Sequence, residues 1–67
     1  MKNIVDEVIE LAGGCANLAQ MHNVTRQSVT LWKKNGYFPL KQIPIVLKNF
    51  SSITSEQLVR AYKNSND

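Results

Sequence analysis

Cysteine is nearly absent from the 67-residue chain, and so is histidine. Cys15 alone cannot form an internal disulfide, and Cys15 with His22 cannot complete a tetrahedral metal site. The core must therefore hold without staples, and the expected compartment is the cytoplasm. No apolar run approaches the roughly 18–20 residues of a membrane span. The opening residues Met1 to Glu7 turn acidic at the sixth position, which does not fit a signal peptide. Acids are few and badly placed for catalysis: Asp6, Glu7, Glu10, Glu56 and Asp67 offer no paired carboxylates. Without a nucleophile–base set either, the chain is expected to be no enzyme and to need no cofactor. Its length excludes a cleft between domains, since a chain of this size buries only about 60% of its unfolded surface. One domain over residues 1–67 is expected.

What is present is ordinary for a folded domain, with 43% hydrophobic and 19% charged residues. The charge is unevenly spread. Residues 11–55 hold five cations, Arg26, Lys33, Lys34, Lys41 and Lys48, and no acid, whereas the ends carry three cations against five acids. A central stretch of one sign points to an anionic partner. Lys48 reads as a solvated charge.

Five short helices can be read along the chain. Residues 3–12 place Ile4, Val5, Val8, Ile9 and Ala12 on one face, behind Asn3 as N-cap and with Asp6 and Glu7 in the first turn. Gly13-Gly14 ends this helix. A second runs over 15–22, with Leu18 and Ala19 inward, and Asn23 suits a tight turn. Val24 is a buried turn residue and Thr25 caps a third helix from Arg26 to about Lys34, with Val29 and Trp32 sharing a face. Asn35 to Pro39 is a loop. A fourth helix runs to Phe50 and begins either near Gln42 or, as the favoured reading, near Pro39 with a first turn loosened by Pro44. Thr54-Ser55-Glu56-Gln57 is a capping box, with Ile53 and Leu58 as the accompanying staple. The fifth helix points Leu58, Val59, Ala61 and Tyr62 inward and frays after Lys63, leaving 64–67 as an unstructured tail.

The informative stretch is 15–34. Two short helices crossing at about 90–120° need a small residue where they touch, a tight turn and apolar anchors. Ala19, Asn23, and Leu18, Val24, Val29 and Trp32 supply them. The pattern reads as a helix-turn-helix formed by helices 2 and 3.

Gly-Gly-x-x-x-Leu-Ala, the turn, Thr-x-Gln-x-Val-x-x-Trp and a loop ending in Pro39 resemble Cro-type repressors of temperate phages and prophages. The likeness is to their all-helical branch and to the related Cro-like antitoxins, over residues 4 to about 50. Two positions depart from the pattern, which usually has glycine at Asn23 and leucine at His22. The resemblance implies an all-α, lambda-repressor-like fold and sequence-specific binding to a double-stranded DNA operator. It also implies a homodimer, formed in solution or only on DNA, with no membrane and no small-molecule substrate.

In such a motif the second helix meets base edges in the major groove. Thr25, Arg26, Gln27, Thr30, Leu31 and Lys34 are the expected base-contacting residues. Arg26 matches guanine O6 and N7, Gln27 matches adenine N6 and N7, and Thr30 or Leu31 suits a thymine methyl. Phosphates would be held by the backbone N–H groups of Cys15 and Ala16, by Asn17 and Gln20, and by Lys33 and Lys41, with Lys34 at the end of the helix adding to the salt-dependent affinity. Phe50, Ile53, Leu58, Val59 and Tyr62 can serve either a dimer or the monomer's own core. Two other functions compete with repression: an antitoxin-like protein-interaction module and a DNA-architectural accessory factor.

Overall fold

A computed structural model describes residues 2–66, among which there are five α-helices and no strand. They are α1 (Ile4–Ala12), α2 (Cys15–Met21), α3 (Arg26–Asn35), α4 (Ile43–Asn49) and α5 (Ser55–Asn66). The all-α class with five helices is thus the observed one.

Helix boundaries follow local chemistry. Asn3 Oδ1 accepts the Asp6 N–H at 2.9 Å, while the Asn3 N–H donates to Asp6 Oδ2 at 3.1 Å. This reciprocal cap satisfies two donors at the start of α1 and contributes about 1 kcal/mol. α1 stops at Gly13, which takes φ +90°, and a Cβ there would lie 3.0 Å from the Asn17 amide. α2 stops at His22, followed by Asn23 at φ +55°. Asn tolerates this left-handed conformation through its short polar side chain. The chain reverses there, and the Val24 N–H donates to the Ala19 carbonyl at 2.9 Å. Thr25 Oγ1 then accepts the Ser28 N–H and starts α3.

The start of α4 differs from the favoured sequence expectation. Pro39 is extended, a 3-10 turn covers Leu40–Gln42, and the α-helix begins only at Ile43. Pro44 dictates this. Its nitrogen has no proton and its ring excludes a helical carbonyl four residues earlier, so it fits only in the first turn. α4 ends at Asn49, one residue before the expected end, with Phe50 as its non-helical C-cap. The capping box at α5 forms as read: Thr54 Oγ1 accepts from the Gln57 N–H, and the Thr54 N–H donates to Gln57 Oε1. α5 does not fray after Lys63 but continues to Asn66, since neither glycine nor proline interrupts Asn64-Ser65-Asn66. The last residue of the expected tail, Asp67, lies outside the described residues.

All five helices meet in one core. α1 supplies Val5 and Val8, α2 Leu18 and Ala19, α3 Val29 and Trp32, α4 Ile43 and Val46, and α5 Leu58. Phe38, Phe50 and Ile53 enter it from the loops and helix ends. α2 packs on α1 and α3, and α5 closes the other side against α1 and α4. Of the residues open to either a dimer or the core, Phe50, Ile53 and Leu58 are buried within the chain. Val59 is half-buried against the core, and the half-buried Tyr62 meets Tyr37 edge-on at 5.5 Å. No helix among the described residues is long and apolar enough to cross a membrane.

Candidate nucleic-acid interface

α3 is divided lengthwise. Val29 and Trp32 are buried, which leaves the residues between them outside. Arg26, Gln27, Thr30, Leu31 and Lys34 line one shallow exposed surface along the helix. Five of the six expected base-contacting residues are therefore neighbours. The sixth, Thr25, is exposed at the end of the helix, where its hydroxyl is the N-cap and also lies 3.3 Å from Ser28 Oγ. Thr30 Oγ1 donates to the Arg26 carbonyl at 3.0 Å, so its hydroxyl proton is engaged within the helix. Its methyl group is not engaged in that bond.

The electrostatics of this surface are one-sided. Neither Arg26 nor Lys34 makes an ion pair among the described residues, and no acid lines the surface. By contrast, Lys2 pairs with Glu10 and Arg60 with Glu56. Two unneutralised cations, Arg26 and Lys34, thus lie on the exposed face of α3.

The expected phosphate-binding residues separate into two groups. Ala16 and Gln20 are exposed on α2, and Lys41 is exposed in the 3-10 turn, where it lines a groove shared with Leu31. The others have internal partners. Cys15 is half-buried and packs against the core. Asn17 donates its amide to the Ala12 carbonyl at 3.2 Å and lies 3.5 Å from that of Gly13, which ties off the end of α1. Lys33 Nζ lies 3.8 Å from Asp6 Oδ1, directed at α1. Adjacent lysines on one helix are about 100° apart, so Lys33 meets α1 while Lys34 stays on the exposed face.

The motif anchors Leu18, Ala19, Val29 and Trp32 are buried, and Val24 is half-buried against them. The expected anchors thus form one packed unit between α2 and α3.

Two features were not visible from sequence patterning. The first is a groove of about 390 Å³ beside the α3 surface, in which Leu31, Asn35, Tyr37, Leu40 and Tyr62 take part. Leu31 and Leu40 are 54% and 57% exposed there. The second is His22, which is 5% exposed at the end of α2. Its Nδ1 lies 2.7 Å from Gln42 Oε1, and its ring stacks on Phe38 and meets Trp32 edge-on. No group of His, Cys, Asp and Glu able to hold a metal lies among the described residues. Comparison with protein-family models, with curated proteins and with solved structures finds no match to this chain.

Proposed function

We propose that this chain is a sequence-specific, double-stranded-DNA-binding transcriptional repressor of the Cro type, with α3 in the major groove. One observation carries the reading: Arg26, Gln27, Thr30, Leu31 and Lys34 share one acid-free, exposed face of a helix whose other face is anchored in the core. A rigid helix presenting Arg and Gln one after the other suits bidentate recognition of a guanine and an adjacent adenine. Thr30 and Leu31 offer methyl groups to thymine. Lys34 and Lys41 supply phosphate contacts, with Ala16 and Gln20 at the far edge. The resemblance of residues 4–50 to Cro-type repressors supports the same assignment, with α2 and α3 as a helix-turn-helix in a lambda-repressor-like fold.

The protein acts in the cytoplasm by occupying a palindromic operator and excluding polymerase, without catalysis or cofactor. Two copies bind because one short reading surface specifies few base pairs, and two-fold dimers on palindromes are the usual remedy. Selection from a random duplex pool tests this. The expected result is an approximate palindrome with half-sites about one helical turn apart. Enrichment of nothing, with binding that is weak and lost as salt rises, would overturn it.

The exposed Leu31 and Leu40 favour one second reading, a protein-interaction module of the antitoxin kind. In that case a protein partner, and no duplex sequence, would be recognised through the apolar groove.

A further inference from the structure

His22 is the one buried polar side chain among the described residues, and it touches three successive parts of the chain that follow it. Its imidazole stacks on Phe38 with centroids 6.1 Å apart and planes 9° apart. It meets Trp32 edge-on at 5.4 Å, and Trp32 and Phe38 are themselves 5.5 Å apart. Its Nδ1 lies 2.7 Å from Gln42 Oε1. An amide oxygen only accepts, so Nδ1 carries the proton and donates. Nε2 is buried with no hydrogen-bond partner among the described residues.

Apolar packing alone does not account for this arrangement. Leucine would fill such a place without a buried polar atom. An imidazole adds a directional bond, and that bond spans from the C-cap of α2 to the 3-10 turn beyond α3. Between its two ends lie the left-handed turn at Asn23 and the whole of α3. Trp32, on the buried face of α3, packs against the same ring.

We propose that His22 is a positioning residue, with Gln42 as its partner, whose hydrogen bond fixes the orientation of α3 relative to α2 and so sets discrimination between DNA sequences. The inference rests on the DNA-binding reading. Neither residue lines the exposed α3 surface, so the effect passes through Trp32 and Phe38 to the helix that carries Arg26 and Gln27.

The test is a double-mutant cycle on the full chain: Gln42→Met, which keeps length and removes the acceptor, His22→Leu, and both together. The readout is the affinity for the selected site divided by that for a scrambled duplex, with the salt slope of each. Loss of one hydrogen bond should lower this ratio about fivefold in Gln42→Met, with the salt slope unchanged. In the His22→Leu background the same substitution should change nothing. An unchanged ratio in Gln42→Met, or an equal fall in both backgrounds, would overturn the proposal. The equal fall would show instead that Gln42 touches DNA itself. Amide exchange of Thr30 to Lys33 in the free protein is measured alongside, and should quicken about fivefold in Gln42→Met only when His22 is present. If the wild type shows no preference for any sequence, the DNA reading fails and the proposed role in discrimination falls with it. The exchange result then states whether the tether on α3 exists without that role.

Discussion

The side-chain amide of Asn3 donates to the backbone carbonyl of Lys33 at 3.0 Å, joining the cap of α1 to the last turns of α3. The same side chain accepts the Asp6 N–H through its oxygen. One residue therefore starts the first helix and holds the helix that carries the candidate reading surface.

Substitution should separate these two roles. Asn3→Ala loses both and is expected to cost about 2 kcal/mol, the sum of a cap and a hydrogen bond. Asn3→Ser retains a capping oxygen but cannot reach Lys33, and should cost about half as much. Urea denaturation of the two variants checks the order. Equal losses would mean that the link to Lys33 contributes nothing.

The turn at Asn23 carries a second expectation. At φ +55° a residue without a local hydrogen-bonding side chain is strained. Asn23→Ala should destabilise by about 1–2 kcal/mol, whereas Asn23→Gly should stay within about 0.5 kcal/mol of the wild type. Thermal unfolding distinguishes them. If alanine is tolerated as well as glycine, the left-handed turn is not a constraint on the fold.

On DNA, Gln27→Ala should relax one base position in each half-site and lower affinity for the selected site about 5- to 150-fold. Lys34→Ala should weaken binding to all duplexes alike and reduce the salt slope by about 1. Lys33→Ala should leave that slope unchanged, because its ammonium sits beside Asp6. Titrations at several salt concentrations decide this. A smaller slope in Lys33→Ala would place that side chain on a phosphate after all.

The core leaves little margin. A chain of this length is expected to be stable by about 3–10 kcal/mol. Leu58 is fully buried, and Leu58→Ala should cost about 2–5 kcal/mol. Circular dichroism should show a much-reduced melting temperature or a largely unfolded chain. A melting temperature close to the wild type's would mean that α5 is dispensable to the monomer core.

Much of this architecture was legible because it is local. The caps at Asn3, Thr25 and Thr54 and the stop at Gly13 depend on residues at most a few positions away. The start of α4 was harder, because two prolines offered two starts. Pro39 fits a first helical position in isolation, but Pro44 excludes a helix running through it. The candidate reading surface was legible for the same local reason: once Val29 and Trp32 face inward, helical spacing turns Arg26, Gln27, Thr30 and Lys34 outward. The pairing of Lys33 with Asp6 was not, since it depends on how α1 crosses α3. Nor were the partners of His22, since Phe38 and Gln42 lie 16 and 20 positions further on. Phe50, Ile53 and Leu58 were ambiguous because a core and a dimer interface use the same apolar side chains, and only packing shows which is served.

The lengthwise division of α3 also bears on how such a chain changes over time. Val29 and Trp32 hold the helix in place, while the side chains of Arg26, Gln27, Leu31 and Lys34 form no hydrogen bond or ion pair with the rest of the described residues. The folding contacts and the proposed DNA contacts thus fall on different residues. Substitutions on the outer face are nearly free of folding penalties, which for surface positions stay within about 0.5 kcal/mol. On the proposed DNA-binding reading, a lineage carrying this scaffold can drift to a new target by a few replacements there, without first acquiring a compensating change in the core.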